Sequence, residues 1–132
     1  MPPDDRLDDA KKWLRYAEAD LAIAEAPLPA HGLYEHLTFH AQQAAEKAIK
    51  AILVLHGIDF PKTHNIEYLL TLLPSDIARE NLPSQAYRLT AYATVFRYPG
   101  DEEPVSEENS RELTAIGHDT VAWAMAIIRL HS

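Results

Sequence analysis

Apolar residues recur at intervals of three and four along most of this 132-residue chain. That repeat lines one face of an α-helix. The clearest run is His36 to His56, HLTFHAQQAAEKAIKAILVLH. Wound at about 100° per residue, it places Leu33, Leu37, Ala41, Ala44, Ala48, Ile52 and Leu55 on one apolar stripe. His36, His40, Gln43, Lys47 and Lys50 fall on a separate polar stripe. The pattern predicts a helix over Leu33 to His56, ended by Gly57, the residue favoured at a left-handed C-cap. Its alanine-rich stripe lets a neighbouring helix approach closely, so tight contact with the first or fifth helix is expected.

The remaining elements follow from the same repeat. Leu7, Ala10, Leu14, Ala17, Leu21 and Ala24 predict a first helix over Asp4 to Ala26, with Asp4 and Asp5 suited to its N-terminus and Pro27 and Pro29 stopping it. Trp13 and Tyr16 sit off its main stripe, where they could pack at an edge or at a partner interface, and packing is expected. After the connector IDFPKTH, Thr63 or Asn65 can cap a short third helix over Asn65 to Leu73, with Ile66, Leu69, Leu70 and Leu73 inward. Pro74 breaks it, and a further helical turn is expected within Ser75 to Asn81. Pro83 to Phe96 reads as a fourth helix with Ala86, Leu89, Ala93 and Phe96 on its apolar side. Arg97-Tyr98-Pro99-Gly100 stops it sharply, and an acidic loop, Asp101 to Val105, follows. Ser106 to Leu130 reads as a fifth helix, with Leu113, Ile116, Thr120, Ala124 and Ile127 inward. Strand-type alternation and internal repeats are absent. The expected fold is all-α, an up-and-down bundle of about five helices in one domain spanning residues 1–132.

Composition narrows the class. At 47% hydrophobic and 24% charged the chain is ordinary globular material, and without cysteine it has no disulfide or thiolate site. The N-terminus, MPPDDRLDDAKK, is unlike a signal peptide, and no apolar run approaches the ~18 residues of a membrane span. A cytoplasmic protein without membrane attachment is expected. The net charge of −8 argues against a duplex DNA binder, which needs a broad basic surface. A small basic cleft in an acidic shell could still accept a nucleotide or a few RNA phosphates.

Candidate chemistry concentrates in two places. Lys47 and Lys50 lie one turn apart on the polar stripe and could hold phosphate as point charges, with Gln43 adding a directional hydrogen bond. The alternative for that stripe is a solvated face, with Glu46 paired to Lys50 at i,i+4. Arg97, on a rigid turn, presents a planar fork suited to phosphate or carboxylate; dipole neutralisation or pairing with Asp101 or Glu102 is the alternative. His36 and His40 could face one ion, but no third ligand is near in sequence, and no metal or other cofactor is expected. Phosphate-loop, GxGxxG, HExxH and Gly-x-Ser-x-Gly motifs are missing.

Four stretches in order resemble one family. Ala41-Gln42-Gln43-Ala44-Ala45-Glu46-Lys47-Ala48-Ile49-Lys50-Ala51 is similar to the second-helix signature of HEPN domains (higher eukaryotes and prokaryotes nucleotide-binding). Trp13 with Ala19-Asp20-Leu21, Lys62-Thr63-His64-Asn65-Ile66, and Arg97-Tyr98-Pro99 match further pieces. The resemblance implies a helical bundle that forms a homodimer. It also implies a minimal nucleotidyltransferase partner, encoded alongside, in a two-component system of toxin–antitoxin type. Many HEPN proteins are metal-independent ribonucleases whose motif is an arginine followed four to six residues later by a histidine. Arg97 matches the arginine, but Glu102, Glu103 and Pro104 stand at positions 102 to 104, and the next histidine is His118. RNA cleavage needs a proton acceptor for the 2′-hydroxyl and a proton donor for the leaving oxygen, and arginine shuttles protons poorly. The expectation is therefore a non-catalytic partner protein in which Lys47, Lys50 and Arg97 contact phosphate, Gln43 orients it and Tyr98 stacks on a base. The alternatives are a ribonuclease toxin in which His64 or another histidine serves with Arg97, and a purely structural interaction module.

Overall fold

In the computed structural model, residues 3–93 and 104–132 are described, with side chains from Asp5 onward. They form α1 (Pro3–Ala24), α2 (Tyr34–Leu55), α3 (Ile66–Thr71), a 3₁₀ helix (Ala86–Tyr92) and α4 (Glu107–Leu130). No strand occurs among the described residues. The fold is an all-α bundle. No helix is long and apolar enough to cross a membrane among the described residues.

Helix α2 is central because its apolar residues continue beyond one stripe. Ala41, Ala44, Ala48 and Ile52 are buried as their spacing predicts, and Ala45, Ile49, Ala51 and Leu53 are buried as well. Both α1 and α4 pack on it and touch one another, while α3 and the 3₁₀ helix close against it. Ala10, Leu14, Ala17, Leu21 and Ala24 supply the face of α1, and Leu113, Val121, Ala124, Ile127 and Ile128 that of α4. At Gly117 of α4 an added Cβ would lie 3.0 Å from the Ala41 carbonyl oxygen. The close approach expected of the alanine stripe is therefore made with α4 as well as with α1.

Helix ends follow local chemistry. Gly57 has φ +70°; its N–H donates to the Val54 carbonyl and that of Ile58 to the Leu53 carbonyl, a Schellman closure. Asn65 Oδ1 accepts from the Tyr68 N–H at 3.1 Å, Thr63 Oγ1 accepts from Asn65, and Ser106 Oγ accepts from Asn109 at 3.0 Å.

Four details differ from expectation. Leu33 is 54% exposed, because it stands at the N-cap of α2 before the helix enters the core. Helix α1 ends at Ala24, two residues early; there the N–H of Ala26 turns to the Ile23 carbonyl, tightening the last turn. Between Ser75 and Asn81 there are turns and no helix, held in part by Trp123, whose Nε1 donates to the Ala78 carbonyl at 2.8 Å. The fourth helix is 3₁₀ where it is described. Ala86 and Leu89 are buried three residues apart, matching the three-residue turn of that helix, and Thr90 Oγ1 is engaged by the Ile66 N–H at 3.1 Å. Its expected continuation to Phe96 lies outside the described residues, as do Arg97, Tyr98, Pro99, Asp101, Glu102 and Glu103.

Candidate functional site

Two buried carboxylates organise the polar side of α2. Asp20 lies on the edge of the buried face of α1, 9% exposed. Its Oδ1 accepts from His40 Nδ1 at 2.9 Å and its Oδ2 from Lys47 Nζ at 2.6 Å. Glu46 of α2 is 3% exposed. Its Oε2 accepts from Lys50 Nζ at 2.9 Å, and its Oε1 from His64 Nδ1 at 2.8 Å and from Gln42 Nε2 at 3.0 Å. Gln42 Nε2 also donates to the His64 carbonyl at 3.3 Å, and Gln42 Oε1 accepts from Gln43 Nε2 at 2.7 Å. Each carboxylate oxygen thus accepts at least one hydrogen bond, as buried charge requires.

The helix repeat explains the arrangement. Gln42, Glu46 and Lys50 follow one another at i,i+4, so their side chains meet along one row. The connector Ile58 to Asn65 returns beside this row and delivers His64 to Glu46. It also delivers Phe60, which with Trp13 covers Lys50: the ammonium lies 5.5 Å from the Phe60 ring centroid and 5.7 Å from that of Trp13. Trp13 and Phe60 meet edge to face at 6.1 Å.

The two pairs fix the histidine tautomers. An ionised carboxylate only accepts, so Nδ1 of His40 and of His64 carries the proton, and no described residue engages either Nε2. The His64 side chain is 63% exposed and that of His40 29%. Two carboxylates and two ammonium groups cancel, leaving the cluster formally neutral. It can therefore donate hydrogen bonds to an anion through Lys47 and present two imidazole Nε2 acceptors, without the repulsion of an uncompensated carboxylate.

The structure sorts the candidate residues. Gln43 is half-buried and tied to Gln42; Lys47 remains 27% exposed at its side chain. Lys50 is 9% exposed, enclosed by Glu46 and the two rings, so it positions Glu46 and does not reach the surface. The Glu46–Lys50 pair has the spacing expected of a solvated face, but it is internal. Arg97 and Tyr98 lie outside the described residues. His40 is taken by Asp20, and no three potential metal ligands gather among the described residues. Trp13 packs as expected, whereas Tyr16 is 57% exposed.

A model of the HEPN domain matches residues 10–125. The chain belongs to the HEPN domain family. Its fold is similar to the crystal structure of ST0689, an archaeal HEPN homologue, at 25% identity and a TM-score of 0.57, covering 97% of this chain and 98% of that one. It is also similar to TT1696 from Thermus thermophilus, at 27% identity and a TM-score of 0.61, covering 94% and 96%. A stretch of 51 residues is 43% identical to a protein of Methanocaldococcus jannaschii named "Putative toxin MJ1304". That stretch is 39% of this chain and spans about a third, 33%, of the M. jannaschii protein.

Within this HEPN domain the carboxylate anchors were the residues that periodicity missed. Asp20 falls next to Leu21 and one turn from Ala17 and Ala24, all buried. A carboxylate at that position signals a partner on another helix, but only the fold names Lys47 and His40. Glu46 carried a clearer signal, standing four residues from both Gln42 and Lys50.

Proposed function

We propose that this HEPN protein binds nucleotide or RNA phosphate along the rim of α2, and that it acts as a homodimer with a minimal nucleotidyltransferase in a toxin–antitoxin-type pair. The observation that supports the ligand reading is the anchored row itself. Asp20 and Glu46 hold Lys47, His40 and His64 in set positions while the outer N–H donors of Lys47 and the Nε2 acceptors of the two histidines stay reachable. Lys47 keeps two N–H donors after its bond to Asp20, and Gln43 lies between the two anchored groups. Family membership and the relation to a protein named as a toxin support the two-component reading.

Nucleotide titration of the purified protein, wild type and Lys47→Ala, tests the ligand. Weaker binding in the variant is expected; unchanged affinity removes the phosphate role. For the partner, the neighbouring reading frames are searched for a minimal nucleotidyltransferase, which is expected there, and the two proteins are co-expressed and their complex weighed by light scattering. Separate elution of the two proteins would refute the pairing.

One contact favours a second reading, a metal-independent ribonuclease. The Glu46–His64 bond leaves His64 Nε2 as an outward proton acceptor, the role that the sequence lacks after Arg97. RNA cleavage in EDTA that is lost in both His64→Ala and Arg97→Ala would replace the non-catalytic reading.

A further inference from the structure

We infer that Trp13 and Tyr16 of α1 form a base-stacking subsite for a guanine nucleotide whose phosphate lies at Lys47. This deepens the α2-rim reading and rests on it. A depression of about 310 Å³ is lined by Asp9, Lys12, Trp13 and Tyr16. Tyr16 is 57% exposed, more than Tyr87 at 47% or Tyr68 at 43%, and the Arg15 guanidinium carbon stands 5.7 Å from its centroid. Trp13 meets Phe60 edge to face, has the Lys50 ammonium over its ring, and shares the depression with Tyr16. Two aromatic groups one turn apart beside an open depression are a stacking platform for an unpaired base.

Position along α1 sets the ligand's length. Asp9, Trp13, Tyr16 and Asp20 follow one another at spacings of four, three and four, so they share one face of the helix. Asp20 is the residue that holds Lys47. Tyr16 and Asp20, the carboxylate that holds Lys47, are therefore one helical turn apart, roughly 5–6 Å between Cβ atoms. A mononucleotide, with base and 5′-phosphate joined through one ribose, suits a ring and a phosphate anchor on neighbouring turns. Charge sets its direction. Asp9, at the opposite end of the row, repels phosphate and makes only a 3.9 Å contact with Lys12. A carboxylate there accepts the adjacent N1–H and N2–H donors of guanine, a pair that adenine lacks.

The full-length chain supplies its own probe. Trp123 is 3% exposed and hydrogen-bonded to Ala78, so quenching by GMP reports Trp13. GMP should quench saturably, and Tyr16→Ala should lower its affinity about tenfold or more with unchanged thermal stability. Asp9→Asn should bring GMP and AMP to similar affinity, and Lys47→Ala, which also uncovers the Asp20 carboxylate, should reduce GMP to the affinity of guanosine or below it. Calorimetric GMP binding that falls in Lys47→Ala but is indifferent to Tyr16→Ala would overturn this subsite and leave the rim reading standing. Guanosine binding that needs Tyr16, with GMP indifferent to Lys47→Ala, would keep the stacking subsite, overturn the phosphate placement and remove the rim reading. No binding of either ligand would overturn both.

Discussion

Removing the Lys50 ammonium, with Lys50→Met, tests the internal network most directly. Methionine keeps the length and apolar stem of lysine, so packing beneath Trp13 and Phe60 is retained while the charge goes. Glu46, 3% exposed, then loses its only ammonium partner and keeps bonds from Gln42 and His64. Breaking a buried ion pair from one side costs about 3–5 kcal/mol. The two surviving hydrogen bonds place the expected loss near the lower end, about 3 kcal/mol. At a urea slope of roughly 1.5 kcal/mol/M, reasonable for a chain of this size, the midpoint should fall by about 2 M. Pairing the change with Glu46→Gln should recover part of the loss, because no unpaired charge remains. The double mutant should therefore be more stable than the sum of the single changes predicts, by about 1 kcal/mol or more. Chemical denaturation followed by circular dichroism reads all four proteins. A loss below about 1 kcal/mol for Lys50→Met, the range of a surface pair, would show that the network is solvated and would refute the reasoning.

Ile52→Asp, at a fully buried position of α2, should leave no cooperative unfolding transition in the same assay, since a carboxylate without partners would replace core packing. Gly117→Leu should separate α2 from α4 at Ala41 and lower the melting temperature by several degrees, whereas an effect smaller than that of an exposed control such as Ala115→Leu would contradict the close approach. Trp123→Phe should cost about 1–2 kcal/mol by leaving the Ala78 carbonyl without its donor, with amide exchange faster near Ala78.

Much of the bundle was legible because helices announce themselves locally. The three-and-four repeat, Gly57 after α2, Asn65 before α3 and Ser106 before α4 each act within a few residues, so their positions could be read without knowing any neighbour. The stripes of α1, α2 and α4 then named most of the core. Where local signals compete, the reading slipped: Pro83 to Tyr92 has helical spacing, but packing against α3 draws its described part into a 3₁₀ helix. The polar side of α2 was legible as a row of residues and not as a site. Spacing could pair Glu46 with Lys50, yet it could not tell a solvated pair from an enclosed one, since burial depends on Trp13 and Phe60 arriving from other segments. Nor could it join Asp20 to Lys47 and His40, or Glu46 to His64, because those contacts cross 18 to 27 residues of chain. The sequence by itself determined the helices and the face each buries, through interactions a turn or two long. Only the tertiary structure decided which polar groups are buried, which carboxylate holds which histidine and which rings remain open, because these depend on helix against helix.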